Sequence, residues 1–234
     1  MSIYAIADLH LSFDERIAKP MDIFGDRWAN HADRVREEWL ARISSEDTVL
    51  IAGDISWGLR LDEAMADLEW IHGLPGHKII IKGNHDLWWT SIGKLNGLYE
   101  DVTFLQNHCY MVPGTGTALC GTRGWICPGT SGFDEHDKKI YERELLRLQY
   151  SLEDAKNAGA EELIAALHYP PTNDKLQPSG FTELLSSYGV SECIYGHLHG
   201  ADTFRNGFRG TLNGVRYRLV SLDYVNCVPQ KIRP

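Results

Sequence analysis

The chain has 234 residues, of which 43% are hydrophobic and 24% are charged, and its formal net charge is −9. This composition is typical of a soluble globular protein, and the negative charge argues against an extended nucleic-acid surface, which is normally basic. No segment approaches the roughly 18 consecutive apolar residues of a membrane span. The length predicts a single α/β domain over residues 1–234.

The first predicted strand, residues 3–7, runs directly into Asp8, and His10 follows two residues later. Residues 11–30 contain a proline, a glycine and few periodic apolar positions. They are therefore predicted to form a long loop over the end of this strand.

A helix is predicted over residues 30–42, with its first residue as the N-cap, because apolar residues recur there at three- and four-residue intervals. The apolar run at residues 49–52 is a predicted strand that ends at Asp54. The loop after it carries Trp57, a candidate to stack on a substrate, and Arg60, a candidate to bind a phosphate. The alternative is that Trp57 packs against the next helix and that Arg60 is solvated.

A second helix is predicted from residue 61 to 71, and the apolar run Ile79–Ile81 follows it as a buried strand. Separated from that strand by one lysine, Gly83-Asn84-His85-Asp86 presents an amide, an imidazole and a carboxylate at the strand end. Of the adjacent Trp88 and Trp89, one is expected to pack in the core and the other to line the pocket.

Three short strands are predicted within residues 102–120, and a glycine-rich loop over residues 121–136 follows them. Long loops are often functional. Arg123 is a candidate substrate contact because a guanidinium binds phosphate in a bidentate manner. Trp125 and His136 are further candidates, with a core anchor and a surface residue as the respective alternatives.

A long amphipathic helix is predicted over residues 137–158. The strand that follows, residues 163–167, ends at His168. Tyr169 adjoins that histidine and is a candidate to border the pocket.

After a short helix near residues 180–188, the strand at residues 193–195 leads into Gly196-His197-Leu198-His199. The tail alternates apolar and polar residues over 211–222, with a turn at Asn213-Gly214. This pattern predicts an antiparallel hairpin.

Five predicted strands thus each end in a side chain that can bind a metal. In open α/β sheets, ligands bind beyond the carboxyl ends of the strands, so these side chains predict one shared site. Oxygen and imidazole ligands without cysteine favour Mn, Fe, Zn, Co or Ni over Ca or Cu(I). Any one motif has a surface turn as its alternative. Together they supply seven candidate ligands, which suits two divalent metals that share a carboxylate: Asp8, His10, Asp54, Asn84, His168, His197 and His199.

The order of these motifs resembles the signature of the calcineurin-like metallophosphoesterase superfamily. The signature consists of Asp-x-His, Gly-Asp, Gly-Asn-His-Asp/Glu, a lone His and Gly-His-x-His. This chain contains every part without a substitution, as Asp8-Leu9-His10, Gly53-Asp54, Gly83-Asn84-His85-Asp86, His168 and Gly196-His197-Leu198-His199.

The resemblance implies a fold of two packed mixed β-sheets flanked by helices, in four αββα layers. It also implies a first metal held by Asp8, His10, Asp54 and His199, and a second held by Asp54, Asn84, His168 and His197. Asp54 would bridge the two. His85 would lie beside the substrate phosphate as a catalytic residue, and Asp86 would be oriented to support it.

The expected activity is hydrolysis of a phosphate ester, by attack of a hydroxide that bridges the two metal ions. Manganese is one expected metal. The tryptophans favour a phosphodiesterase acting on a small nucleotide-like substrate. A phosphomonoesterase, acting on a small molecule or on phosphoprotein, is the alternative. A non-catalytic metal-binding scaffold is a third hypothesis, and the intact set of ligands argues against it.

Five cysteines, an odd number without a Cys-x-x-Cys pair, indicate reduced thiols. Such cysteine usage is typical of cytoplasmic proteins. The first apolar run lacks the basic flank of a signal peptide, and cleavage after it would remove Asp8. The sequence therefore predicts a cytoplasmic location.

Overall fold

The computed structural model describes all 234 residues. It contains eleven strands, numbered β1 to β11 in chain order: Ile3–Ile6, Thr48–Ile51, His77–Ile81, Val102–Leu105, Tyr110–Met111, Thr117–Thr122, Glu162–Leu167, Glu192–Tyr195, Gly210–Leu212, Val215–Leu219 and Gln230–Arg233. Six α-helices, α1 to α6, lie between them: His31–Arg42, Leu61–His72, Ile92–Leu95, Glu135–Asn157, Gly180–Ser187 and Ala201–Phe204. A 3-10 turn at Met21–Phe24 interrupts the long loop after β1.

The strands form two mixed sheets. The first has five strands in the order β11-β1-β2-β3-β4, and the second has six in the order β5-β6-β7-β8-β10-β9. Strands β1 to β4 are parallel to one another, as are β6, β7, β8 and β10, whereas β11, β5 and β9 pair with their neighbours antiparallel. The parallel strands place their carboxyl ends along one edge of each sheet.

Both faces of the central strands of each sheet are buried, which explains why β1, β2 and β7 are nearly continuous apolar runs. One cluster of buried residues lies between the sheets and includes Ile79 from the first and Ile164 from the second. The next residue along each strand points outward, where Ile80 packs with α1 and α2 and Ala165 packs with α4 and α5. The predicted α/β fold, with two mixed sheets between flanking helices, is confirmed.

Two local predictions change in the structure, and one strand appears that was not predicted. Asn30 stands before α1 but adopts a left-handed conformation and makes no capping hydrogen bond through its side chain. Helix α4 begins at Glu135, because Asp134 and Asp137 form a capping box two residues earlier than expected. The last strand, β11, was not predicted, and it pairs antiparallel with β1 at the edge of the first sheet.

Two further findings concern the chain as a whole. All five cysteines are free thiols. None of the helices combines the length and the apolar character needed to cross a bilayer.

Candidate metal centre

The predicted ligands lie where the carboxyl ends of the parallel strands of the two sheets meet. The structure sorts six of them into two groups, and within each group the ligand atoms all lie within 4.8 Å of one another. The first group is Asp8, His10 and His199, and the second is Asp54, His168 and His197. The seventh, Asn84, joins the second group through its side-chain oxygen, which lies 2.8 Å from His168 Nε2.

Asp54 lies between the two groups. Its Oδ2 is 3.7 Å from His10 Nε2 in the first group and 3.3 Å from His168 Nε2 in the second. Its other oxygen, Oδ1, accepts a hydrogen bond of 2.8 Å from the backbone N–H of His85. Asp54 is therefore close to a histidine nitrogen of each group.

The donor atoms fit a pair of cations. His10 Nε2 and His199 Nε2 approach to 3.3 Å, as do His197 Nδ1 and His168 Nε2. The second nitrogen of His10, Nδ1, is buried and has no hydrogen-bond partner. Converging imidazole nitrogens and carboxylate oxygens, without a thiol, form the donor set that Zn, Mn and Fe use.

The protonation states of the histidines at this site also favour binding of a cation. Burial lowers the pKa of His10 to about 4 and that of His197 to about 3, so both rings are neutral at pH 7, as metal ligands must be. Burial also opposes charge on the other two rings. The Asp54 carboxylate nevertheless raises the pKa of His168 to about 9, and Asp8 raises that of His199 to about 10. Each group therefore contains a buried carboxylate that attracts one positive charge.

The backbone of the site is strained. Four of the seven predicted ligands have positive φ, with Asp8 at 62°, His10 at 45°, Asp54 at 53° and His197 at 73°. Non-glycine residues seldom adopt this conformation, and it concentrates at functional sites. The turns also approach one another closely. A β-carbon added at Gly83 would collide with the Asp54 carboxylate, so only glycine fits at this position.

Asp86 holds these turns in place. Its buried carboxylate makes no hydrogen bond to His85, contrary to the expected supporting role. It accepts hydrogen bonds of 2.7–3.3 Å from five N–H groups, those of the Trp88 indole and of the backbone at Asp54, Ile55, Ser56 and Gly83. Asp86, which follows β3, thus holds the segment after β2 in place through hydrogen bonds to its backbone.

A model of the calcineurin-like phosphoesterase family matches residues 1–201. The chain belongs to this family. The resemblance predicted from the motifs is therefore confirmed, and the family is a group of metal-dependent phosphoesterases that bind divalent metals.

More distant comparisons support the fold. The Gene 66 protein of Mycobacterium phage D29 is 34% identical over 85 residues, which make up 36% of this chain and 40% of the phage protein. TT1561 of Thermus thermophilus has a TM-score of 0.61 at 10% identity, covering 99% of this chain and 97% of its own. The protein of unknown function AQ665 from Aquifex aeolicus has a TM-score of 0.53 at 15% identity, covering 98% and 95%.

A cavity of about 670 Å³ opens beside the first group of candidate ligands, and we call it the metal-centre cavity. His10, His85 and His199 line one side of it. The long loop after β1 supplies the other side, as its position in the sequence predicted: Met21, Phe24, Gly25, Asp26, Arg27 and Trp28. The volume is that of a site for a small molecule.

Trp57 is the one predicted substrate contact that lines this cavity. Its ring stacks on His10 at a centroid distance of 4.8 Å and lies 4.4 Å from the ring of His85. Lys19 Nζ lies 5.4 Å above the same ring. Trp57 therefore contacts a predicted metal ligand and the predicted catalytic histidine at once.

Arg60 and Trp88 lie outside the metal-centre cavity. The Arg60 side chain is 70% exposed and pairs with Glu63 at the start of α2. Trp88 is buried against Trp89 and Phe104, so it belongs to the core.

Arg123 and Tyr169 lie on the opposite side, beside the second group of ligands. The Tyr169 ring packs on His197 at 4.1 Å and borders a cavity of about 140 Å³. Arg123 lies 4.5 Å from the Trp125 ring and pairs with the buried Glu144. Trp125 anchors its loop by an indole hydrogen bond to Asp137, whereas His136 is exposed on the first turn of α4.

The sequence analysis missed two residues of the site. Asp223 is buried, and it accepts hydrogen bonds from His199 Nδ1 at 3.0 Å and from the backbone N–H of Gly200 at 2.8 Å. Trp28 lies 5.2 Å from His199, ring to ring. Asp223 directly follows the predicted strand at residues 215–222, so the pattern of a carboxylate after an apolar run was present a sixth time.

Proposed function

We propose that this family member hydrolyses a small phosphate ester at a dinuclear metal centre. The first metal would be held by Asp8, His10, Asp54 and His199, and the second by Asp54, Asn84, His168 and His197. The observation that carries the proposal is the position of Asp54 between two groups of converging donors. When bound, two such ions lower the pKa of water and withdraw charge from the phosphoryl oxygens.

The chain's own residues prepare the site for this chemistry. His10 and His197 are neutral at pH 7 and can bind a cation without first losing a proton. Asp223 accepts the Nδ1–H of His199, which leaves Nε2 of that ring facing Asp8. A carboxylate behind a metal-binding histidine fixes its tautomer and its orientation.

We propose that His85 acts on the phosphate itself. Its imidazole lines the metal-centre cavity together with His10 and His199, so it faces any phosphate bound there. Its ring lies against Trp57, and its backbone N–H is fixed on Asp54. From this position the imidazole donates a hydrogen bond to a phosphoryl oxygen or a proton to the leaving oxygen.

We further propose a phosphodiester with a planar, nucleotide-like group as the substrate. Trp28, Trp57 and Phe24 line the same cavity as His85 and offer aromatic surface for such a group. Arg27 adds a positive charge, and its Nη1 is fixed by a hydrogen bond of 2.7 Å to the Asp223 carbonyl. Manganese is among the metals that this oxygen and nitrogen donor set suits.

We also propose that residues 1–234 act as one cytoplasmic domain. Support for a single domain comes from the shared cluster of buried residues between the two sheets. Support for the location comes from five free thiols, four of them buried.

The test combines metal analysis with hydrolysis of bis- and mono-(p-nitrophenyl) phosphate in Mn²⁺. The wild type is expected to hold about two metals per chain and to hydrolyse the diester faster than the monoester. His85→Ala should keep both metals but lose turnover, and Asp54→Asn should lose both properties. His136→Ala is the matched control, because that histidine is exposed and lies outside the cavity.

Each alternative has its own result in this test. Faster monoester turnover would replace the diesterase with a phosphomonoesterase. Bound metal without turnover of either ester would favour a scaffold. Loss of both metals from His85→Ala would contradict the role proposed for His85.

A further inference from the structure

A second cavity, which none of the predicted ligands lines, lies at the β9–β10 end of the second sheet. It measures about 330 Å³, and we call it the arginine cavity. Arg209, Arg216 and Arg218 line it, and Tyr224 and Gln230 close its other side. Three arginines therefore lie around one small cavity in a chain whose net charge is −9.

Two of these arginines have no anionic partner in the protein. Arg218 donates from Nε to Glu192 at 2.8 Å, and Glu192 also accepts from Arg233 at 2.6 Å. Each oxygen of Glu192 therefore already accepts from one guanidinium group, of Arg218 or Arg233. The side chains of Arg209 and Arg216 make no ion pair and no hydrogen bond, and Arg209 lies 5.4 Å over the Tyr224 ring.

We propose that the arginine cavity binds a small anion that carries a phosphate group. Arg209 and Arg216 lack a counter-charge within the protein, and a bound anion would supply one. The guanidinium fork matches phosphate oxygens in pairs, and 330 Å³ accommodates a diphosphate group. A concave site in an otherwise acidic protein fits a small ligand better than an extended nucleic acid.

The position of the arginine cavity connects it to the metal centre. Tyr224 closes the cavity and directly follows Asp223, which holds His199. The same short segment, residues 219–225, thus contributes to the walls of both sites. This proposal does not depend on the proposed hydrolysis, because it requires only the charges and the shape of the cavity.

The test is calorimetric titration of the full chain with inorganic pyrophosphate in excess EDTA, so that metal-bound phosphate cannot contribute. One binding event per chain is expected. Arg209→Gln and Arg216→Gln should each weaken it about tenfold, the loss of one charge-assisted contact. Arg36→Gln, an exposed arginine on α1 without an ion pair, is the matched control and should bind like the wild type.

Three results would overturn the proposal: no binding of pyrophosphate, equal weakening in all three variants, or tighter binding of an RNA oligonucleotide than of pyrophosphate through the same arginines. Arg209 and Arg216 are exposed and unpaired, so their loss is not expected to unfold the chain. Titration with ADP separates two sources of the phosphate. Tighter binding of ADP than of pyrophosphate indicates a phosphorylated metabolite that also contacts Tyr224, and equal binding indicates recognition of the phosphate groups alone.

Discussion

Replacing Glu144 with glutamine tests how the second sheet is fixed to its covering helix. Glu144 lies on α4 and is fully buried. It accepts a hydrogen bond of 2.6 Å from Thr122 at the end of β6. It also pairs with three guanidinium groups at 2.9–3.4 Å, those of Arg123, Arg143 and Arg147. One carboxylate therefore neutralises a cluster of arginines.

The size of the effect follows from what glutamine keeps and what it loses. A glutamine can donate from its amide nitrogen to the Thr122 hydroxyl and keep its oxygen toward the arginines, so the loss is mainly that of the charge. Removing one partner of a buried ion pair costs about 3–5 kcal/mol. Solvent reduces this value here, because the side chains of Arg143 and Arg147 are 52% and 31% exposed. We therefore expect the free energy of unfolding to fall by about 2–3 kcal/mol.

Urea unfolding at low and at high salt measures this loss. Without Glu144 the three arginines repel one another, and Lys82 lies near enough to add to the repulsion. Salt at 1 M shortens the screening length to about 3 Å, so the loss should shrink there. Glu142→Gln, on the exposed side of the same helix, is the control and should change stability by less than about 0.5 kcal/mol. An equal loss in both variants, or a loss that salt does not alter, would refute the reasoning.

Three further predictions concern the metal centre. Asp223→Asn should weaken metal binding about 10- to 100-fold in a chelator competition, because an uncharged amide has one acceptor oxygen for the two N–H groups, of His199 and Gly200, that Asp223 accepts; unchanged affinity would contradict the role of Asp223. Asp86→Asn should lower the free energy of unfolding of the metal-free protein by about 2 kcal/mol, because the amide turns a donor toward at least two backbone N–H groups. Normal stability with reduced turnover would instead restore a role in supporting His85. In the metal-free protein, His197→Gly should be more stable than His197→Ala by about 1 kcal/mol, because φ is 73° there. The same two substitutions at His136, in α4, should show the opposite order of stability, with alanine more stable than glycine.

The sequence predicted that the candidate ligands lie close together because each one is local to a strand end. A strand that is buried on both faces has a continuous run of apolar residues in the sequence, and the first polar residue marks its end. Asp8, Asp54 and His168 are all marked in this way. Parallel pairing brings the strand ends within each sheet to one edge, and the packing of the two sheets brings the two edges together.

Partners that depend on long-range contacts were not predictable. Trp88 and Trp57 both follow a strand end, yet one is in the core and the other in the metal-centre cavity. The role of Asp86 depends on N–H groups about 30 residues away in sequence, to which no local pattern points. Strand β11 has only one buried residue and exists because β1 offers it a free edge.

The strained turns at the candidate ligands depend both on the local sequence at each strand end and on long-range hydrogen bonds. Asp8, Asp54 and His197 supply donor atoms only because their backbones adopt a conformation that costs on the order of 1 kcal/mol each. Carboxylates hold these turns in that conformation. The oxygens of Asp8 accept the N–H of His197, and Asp86 accepts the N–H of Asp54. The donor atoms can be identified in the sequence. Their arrangement depends on hydrogen bonds between strand ends, which the sequence does not reveal. Substitutions at Asp86 or Asp223 should therefore damage the centre without removing any of the seven predicted ligands.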